Sequence, residues 1–334
     1  MKNFYRVGWL LALGFSGNAF GWGAIGHATV GEIAERALTP RAKALVFKVL
    51  GPEPLSTAAN YPDEVRSDKR YAKFADYHFA TIPANGAYGD LPPPDHDMNS
   101  IMVKAMKMIA KRNVSRDEKI LYMKYLIHIV GDTHQPLHVS TPGSLGGNLC
   151  KVKIADPATG KEDLENIHHV WDEVLIEYER RVFQKMHPEK KDPWFGYAEY
   201  ADMILAEPKV EAVKSEVERA GPVKEADFAT WITDTFRIGE SAYPKVTEIV
   251  PGRRPYCSFL DPKTKKFDNS GYDAKSIPTL DEAYVEKWLP TVRSQILKGG
   301  LRLAKVLDKI AADAHVKPMD PAKETRLIDS ILAK

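Results

Sequence analysis

The sequence predicts a mainly α-helical fold in a single domain. Apolar residues recur at helical spacing in seven segments, whereas runs that alternate apolar and polar residues are few. No internal repeat, low-complexity tract or clear linker divides the chain. The helical segments are 24–49, 101–109, 120–129, 167–178, 195–204, 228–238 and 284–307.

The composition is that of a folded protein without a strong overall charge. The 334 residues are 44% hydrophobic and 28% charged, and the formal net charge is +2. These values exclude a largely disordered chain and a protein that attracts nucleic acid through its whole surface. Binding of an anionic partner would therefore depend on a local site.

Residues 1–21 are predicted to be a secretory signal peptide. Lys2 and Arg6 precede an apolar run at 7–15, and a short stretch of mostly small residues leads to Trp22. The apolar run is shorter than the roughly 20 residues that a membrane span needs. We therefore expect cleavage before Trp22, export to the periplasm or the outside of the cell, no stable membrane association, and one domain over 22–334.

Two segments, 83–99 and 250–281, are rich in proline and glycine and are predicted to be long surface loops. The second segment contains Arg253, Arg254 and Tyr256. The sequence leaves open whether these residues line a substrate rim or belong to a plain solvated loop.

Cys150 and Cys257 are the only cysteines. They would form either one disulfide closing a long loop or two buried thiols, and the sequence alone leaves both alternatives open. Two cysteines cannot build a thiolate zinc site, so any bound metal must use histidine, carboxylate and backbone groups.

The sharpest functional signal is His128-Ile-Val-Gly-Asp132-Thr-His134-Gln-Pro-Leu-His138, at the end of an apolar helical run. His128 and Asp132 are four residues apart, so they share one face of a helix and can hold a metal ion together. Pro136 ends the helix, which lets His138 approach from another direction. An isolated pair of this kind is also typical of a buried histidine satisfied by a neighbouring aspartate.

A second pair at the same spacing, His168 and Asp172, begins another amphipathic segment. Two such pairs predict two helices that direct ligands toward a shared centre. His134 and His169 lie off the ligand faces and are interpreted as supporting or surface groups.

Three further motifs supply weaker candidates: Asp63 with Arg66, His78, and Trp22 with His27. Taken alone, they are equally explained by a solvated ion pair, a loop histidine and core residues. Cleavage before Trp22 would expose an α-amino group with a pKa near ~8, which can bind a metal as a neutral amine. Nitrogen and carboxylate ligands without thiolates favour zinc, with manganese or another divalent metal as the alternative.

Together these motifs resemble the trinuclear-zinc, single-strand-specific nucleases of the mung bean nuclease type, which also act as 3′-nucleotidases. The similarity covers about 22–307 and includes Gly146-Gly147-Asn148. It implies the multi-helix fold that these nucleases share with zinc-dependent phospholipase C. It also implies an exported endonuclease that hydrolyses single-stranded DNA or RNA to 5′-phosphorylated products.

The resemblance further implies the ligands of three zinc ions, with one aspartate shared by two of them. In order, the ligand sets are Asp63, His78, His128 and Asp132; His138, His168 and Asp172; and Trp22 (through its amino and carbonyl groups), His27 and Asp132.

The same resemblance implies the residues that handle the substrate. Arg66, beside Asp63, would neutralise charge on the phosphoryl oxygens, and Asn148 would contact a base edge. Phe79 would stack on a base, which requires a single strand because a stacked base in a pocket cannot remain paired. A core position for Phe79 is the alternative. The sequence departs from the family near this pocket at Thr81 and at Ser144-Leu145.

A zinc-dependent phospholipase C is the main competing interpretation, with the same reaction class and a different substrate. The short spacing from Trp22 to His27 and the aspartate at position 172 favour the nuclease, because the phospholipases tend to have glutamate there. A zinc-storage protein would not need Arg66. A purely structural helical protein would bind no stoichiometric metal.

Overall fold

The protein is described by a computed structural model. It describes residues 22–92, 96–155, 159–186, 188 and 196–319. The predicted signal peptide, 1–21, lies outside the described residues. The prediction of a mainly α-helical fold is confirmed. The α-helices are α1 (Ala24–Ala37), α2 (Pro40–Leu50), α3 (Leu55–Ala58), α4 (Tyr61–Glu64), α5 (Met98–Ala110), α6 (Arg116–Asp132), α7 (Ile167–His169), α8 (Leu175–Met186), α9 (Tyr197–Leu205), α10 (Val210–Arg219), α11 (Glu225–Ala242) and α12 (Glu282–Asp313).

The strands are short and form three small sheets. Strands β1 and β2 pair in parallel, β3 lies between β4 and β7, and β5 pairs with β6 as a hairpin. The strands are β1 (Ala80–Thr81), β2 (Val139–Ser140), β3 (Lys151–Ala155), β4 (Glu162–Asn166), β5 (Phe259–Leu260), β6 (Phe267–Asp268) and β7 (Thr279–Leu280).

Helix α12 runs through the middle of the fold. The side chain of Asp281 caps its first turn by accepting a hydrogen bond from Tyr284 N at 2.9 Å. The helix continues through Pro290 for 32 residues and packs against α1, α2, α5, α6, α8, α9 and α10. Residues such as Ile296 and Leu303 are fully buried along it. One long helix therefore fixes the relative positions of the helices around it.

The second half of helix α6 is enclosed on all sides. Ser115 and Glu118 form a capping box at the start of the helix, with Ser115 Oγ accepting from Glu118 N at 3.2 Å. Every residue from 125 to 132 is buried. A helix that is covered on all sides cannot present its polar residues to solvent. His128 and Asp132 must therefore find their partners inside the protein.

The segment after β4 begins as α7, continues as a π-helical turn at Val170–Val174, and becomes α8. The π turn contains Asp172. Such turns add a residue to the helix and are frequent at functional sites, because they redirect the side chains around them.

All seven predicted helical segments contain helix, but their boundaries differ from the prediction. The segment 24–49 is divided into α1 and α2, because the Thr39 side chain caps α2 and Pro40 occupies its first position. Helix α10 was not predicted. The segment 250–281, predicted as a loop, contains β5, β6 and β7. Strands of two residues are too short to show an alternating pattern.

The structure joins Cys150 and Cys257 in a disulfide across a sequence separation of 107 residues. Backbone hydrogen bonds flank it on both sides, from Lys151 N to Tyr256 O at 2.9 Å and from Ser258 N to Leu149 O at 3.0 Å. The segment 250–281 is thereby fixed to the chain that precedes β3.

Among the described residues, no helix combines the length and the apolar character that crossing a bilayer requires.

Candidate metal centre

The predicted ligand residues come from distant parts of the chain and meet at one place. Trp22 and His27 belong to the start of the α1 region, Asp63 to α4, His78 to the 3₁₀ helix Lys69–His78, His128 and Asp132 to α6, His138 to the 3₁₀ helix Pro136–His138, His168 to α7, and Asp172 to the π turn. Three groups of donor atoms form there, each with its atoms within 4.8 Å of one another. The groups are His27, His128 and Asp132; Asp63, His78 and His128; and His138, His168 and Asp172.

The carboxylate of Asp132 lies between two of these groups. Its Oδ2 is 3.1 Å from His78 Nδ1 and 3.3 Å from His128 Nε2. Its Oδ1 is 3.2 Å from His27 Nε2. The two oxygens thus face different groups, which is the arrangement that a carboxylate shared by two metal ions requires.

The third group is built around Asp172. His168 Nε2 lies 3.3 Å from Asp172 Oδ2, and His138 Nε2 lies 3.8 Å from Asp172 Oδ1. The two imidazole rings are stacked with their centroids 4.9 Å apart. Because His138 Nδ1 also lies 3.6 Å from Asp132 Oδ1, the third group adjoins the other two.

Backbone carbonyls orient three of the histidines. A carbonyl can only accept a hydrogen bond, so each Nδ1 carries the proton and leaves the lone pair on Nε2 directed into the centre. The pairs are His128 Nδ1 with Ala59 O at 2.7 Å, His138 Nδ1 with His78 O at 2.6 Å, and His168 Nδ1 with Gly146 O at 2.9 Å.

Gln135 orients Asp172 and was not predicted as a site residue. Its Nε2 donates to Asp172 Oδ1, and its Oε1 accepts from Leu137 N. The residue is fully buried. Its position inside the motif that joins Asp132 to His138 was the signal that could have identified it.

Trp22 is fully buried beside the centre. The next residue, Gly23, donates its backbone N–H to the carbonyl of Asp172 at 2.8 Å. This bond attaches the chain at Trp22 to the π turn. The α-nitrogen and carbonyl of Trp22 therefore lie on a segment that is tied to a predicted ligand.

Gly131 allows α1 and α6 to approach each other at the centre. A Cβ atom at this position would lie 2.9 Å from His27 Nδ1 and 3.2 Å from its Cε1. His27 is completely buried, and its ring is stacked on the ring of His128 with the centroids 3.8 Å apart. The glycine before Asp132 is thus required by the position of the His27 ring.

Buried polar atoms without a hydrogen-bond partner are concentrated at this centre. Of nine such side-chain atoms among the described residues, six belong to it. Each would cost about 1–3 kcal/mol if nothing bound it. The six are Trp22 Nε1, His27 Nδ1, His27 Nε2, Asp63 Oδ1, Arg66 Nη1 and Asp132 Oδ1. His27 Nε2, Asp63 Oδ1 and Asp132 Oδ1 fit metal ligation, and the buried guanidinium nitrogen of Arg66 fits an anion.

The electrostatic field of the centre favours a cation. Burial lowers the pKa of His27 to about 4, so its ring is neutral. Burial also disfavours the charged form of His128, but Asp132 and Asp63 outweigh this effect and raise its pKa to about 9. The carboxylates thus attract positive charge to this position, and a divalent ion would supply it.

The two histidines that were predicted to lie off the ligand faces have other surroundings. His134 is fully buried, donates from Nδ1 to Val130 O at 2.7 Å and accepts at Nε2 from Arg302 at 2.9 Å. Both of its ring nitrogens are used. His169 is partly exposed and lies 4.0 Å from Glu165.

Each of the predicted substrate residues is close in the chain to a predicted ligand or to the loop that orients one. Phe79 directly follows His78 and is 43% exposed, which excludes the alternative of a core position. Arg66 is half-buried. Asn148 donates from its side-chain amide to Leu145 O at 2.9 Å, in the loop whose Gly146 carbonyl orients a ligand histidine.

Comparison with known proteins identifies the family. The sequence model of the S1/P1 nucleases matches residues 22–312. The chain belongs to the S1/P1 nuclease family. Enzymes of this family hydrolyse phosphodiester bonds in nucleic acid and depend on zinc, so the prediction of a hydrolase is confirmed. Membership of the family also confirms the predicted multi-helix fold.

Individual relatives agree with this assignment. Nuclease S1 of Aspergillus oryzae is 24% identical over 88% of this chain and 93% of its own length. Nuclease P1 of Penicillium citrinum is 24% identical over 86% of this chain and 97% of its own length. Endonuclease 2 of Arabidopsis thaliana is 26% identical over 88% of this chain and 91% of its own length. The family favours the nuclease over the phospholipase alternative.

Replacing Gly131 with alanine should remove one metal ion from the centre. The new methyl group must displace the buried ring of His27, at a cost of about 1–3 kcal/mol in the free energy of unfolding. Metal content per chain, measured by mass spectrometry of the purified protein, should fall by one.

Gly299→Ala is the matched control. This helical glycine has room for a Cβ, whose nearest neighbours, His134 and Val30, lie at 3.5 Å. The free energy of unfolding should stay equal or rise by about 0.5–1 kcal/mol, with the metal content unchanged. Full metal content in Gly131→Ala would contradict the role of Gly131.

Proposed function

We propose that this protein is an exported endonuclease with three zinc ions, which cleaves single-stranded DNA and RNA to 5′-phosphorylated products and also removes 3′-phosphates from nucleotides. One observation carries the proposal. Three groups of histidine and aspartate donors meet around a carboxylate that faces two of them, with a buried arginine nitrogen and an exposed aromatic ring alongside.

The separations between donor atoms support zinc. Zinc bonds to nitrogen and oxygen at about 2.0–2.2 Å, so the ligand atoms of a tetrahedral site are about 3.3 Å apart. The pairs of histidine nitrogen and carboxylate oxygen atoms around Asp63, Asp132 and Asp172 are 3.1–3.9 Å apart. We assign the three ions to Asp63, His78, His128 and Asp132; to His138, His168 and Asp172; and to Trp22, His27 and Asp132.

Arg66 is the residue that we assign to the phosphoryl group. When bound, zinc supplies positive charge and a nucleophile at neutral pH. The Arg66 guanidinium has a buried nitrogen without a hydrogen-bond partner and follows the ligand Asp63 by three residues. It can donate to the phosphoryl oxygens as their charge increases in the transition state.

The position of Phe79 supports the preference for single strands. Its ring is exposed, while its neighbours His78 and Ala80 are buried, so the chain on both sides of the ring is packed into the protein. Strand β1 begins at Ala80 and pairs with β2, which follows His138. A base that stacks on Phe79 lies next to the ligands and is unavailable for pairing in a duplex.

Export is part of the proposal because the third ion requires a free amino group at Trp22. The family match begins at this residue, at the cleavage position predicted from the sequence. The bond from Gly23 N to Asp172 O keeps the new N-terminus at the centre after cleavage.

The first test is hydrolysis of single-stranded and duplex DNA by the protein that begins at Trp22, with and without a chelator. We expect digestion of the single strand only, and complete inhibition by the chelator. His128→Ala should lose both zinc and activity, because it removes a ligand from the centre. His169→Ala, one residue from a ligand but partly exposed, should keep both. Equal loss in the two variants would contradict the assignment.

Arg66→Ala should keep zinc and stability while kcat falls about 100-fold, because it removes a donor to the developing charge. Steady-state kinetics on a dinucleotide, together with metal analysis, would measure this. Arg70→Ala is the control, since Arg70 is 80% exposed and paired with Asp68. An unchanged kcat in Arg66→Ala, or loss of its zinc, would show a different role for Arg66.

A methionine placed directly before Trp22 should reduce the zinc content from three ions to two. The extra residue converts the α-amine into an amide, which is a poor metal ligand at neutral pH. Metal analysis should be compared with a protein of the same sequence that begins at Trp22. Three ions in both proteins would refute the N-terminal ligand.

A further inference from the structure

The hairpin of β5 and β6, residues 259–268 and hereafter the 259–268 hairpin, has the composition of a nucleic-acid contact. Its turn carries the exposed residues Lys263, Lys265 and Lys266. The first residue of β6, Phe267, is 64% exposed. Lysines beside an exposed aromatic ring are the combination that binds the phosphates and the bases of a single strand.

The two aspartates of the hairpin have partners within the hairpin or next to it. Asp261 Oδ1 accepts from Lys263 N at 2.8 Å and from Thr264 N at 2.9 Å, which fixes the turn. Asp268 is paired with Arg253 at 3.1 Å. Within the described residues, none of the three lysines forms an ion pair. Their charges are therefore available to a partner from solution.

Two hydrogen bonds and a disulfide join the base of this hairpin to the loop 143–150, whose Gly146 carbonyl orients His168. They are the bond from Leu260 N to Gly143 O at 2.9 Å, the bond from Ser258 N to Leu149 O at 3.0 Å, and the disulfide Cys150–Cys257. Asn148 lies between the tied residues, and Gly146 of the same loop accepts from His168. These bonds fix the orientation of the hairpin relative to the loop. A single strand of nucleic acid that extends from the metal centre past this loop would therefore reach the hairpin.

We propose that the 259–268 hairpin is an additional binding site for single-stranded nucleic acid, in which Phe267 stacks on a base and the lysines contact phosphates beyond the cleaved bond. This inference rests on the proposed function, because it extends the same substrate outward from the same centre. The formal charge of the whole chain is only +2, so a long strand depends on a local site of this kind.

The test compares a dinucleotide with a single strand of 20 nucleotides. The dinucleotide requires only the metal centre and its pocket. Phe267→Ala should raise KM for the long strand about fivefold or more and leave kcat and KM for the dinucleotide unchanged. Phe267→Trp should restore the KM of the long strand, because tryptophan retains a stacking surface.

The role of the lysines is tested by measuring how kcat/KM for the long strand depends on salt concentration. Each phosphate that the protein no longer neutralises should reduce the slope of log kcat/KM against log salt by about 0.7. Lys263→Gln combined with Lys266→Gln should therefore reduce it by about 1.4. The control, Lys111→Gln combined with Lys209→Gln, changes two exposed lysines on the helical body and should leave the slope unchanged.

The results distinguish a failure of the nuclease assignment from a failure of the hairpin site. Failure of the unaltered protein to cleave either substrate would contradict the proposed function. The hairpin site alone would be overturned if the unaltered protein cleaves both substrates and the hairpin variants do so with the same KM and the same salt slope. Binding to anionic phospholipid vesicles that the hairpin variants lose, without any effect on the long strand, would assign the hairpin to a lipid surface instead. Circular dichroism and metal analysis would establish that the variants are folded.

Discussion

The structure depends on the burial of one carboxylate. Asp132 is fully buried at the end of a helix whose second half is enclosed, and a buried charge without partners is strongly destabilising. Three imidazoles from α1, α6 and the segment before β1 lie 3.1–3.3 Å from its oxygens. Each of these elements must therefore be held accurately, and much of the surrounding fold serves this purpose.

Helix α12 supports Asp132 from the far end of the sequence. Gln295 donates to the carbonyl of His134 at 3.1 Å, and Arg302 donates to its ring at 2.9 Å. Both bonds hold the turn that follows Asp132, while the same helix packs along α1, which carries His27. Helix α12 thus positions both the turn that follows Asp132 and the helix that carries His27. This also explains why a histidine with no ligand role is fully buried within the motif.

The sequence predicted the parts of the site that are local along the chain. His128 with Asp132, and His168 with Asp172, are one helical turn apart, so periodicity alone places each pair on one face. Asp63 and His78 lie on a single turn of helix and on a 3₁₀ helix, where no helical period is visible. The sequence motifs therefore made them only weak candidates, and the family resemblance assigned them as ligands. The carbonyls that orient the histidines carry no side-chain signal at all. The β5–β6 hairpin was missed because strands of two residues leave no pattern, and Gln135 because its partner is 37 residues away.

The disulfide between Cys150 and Cys257 can form only in an oxidising environment. A chain that folds among reducing thiols lacks the link between the loop that carries Asn148 and the segment that leads to the hairpin. Oxidation closes a loop of more than a hundred residues, which stabilises the folded state mainly by restricting the unfolded chain. The redox state of the surrounding compartment thus acts on the loop that carries Asn148 and on the attachment of the hairpin, whereas the histidines and aspartates of the centre contain no sulfur to be oxidised.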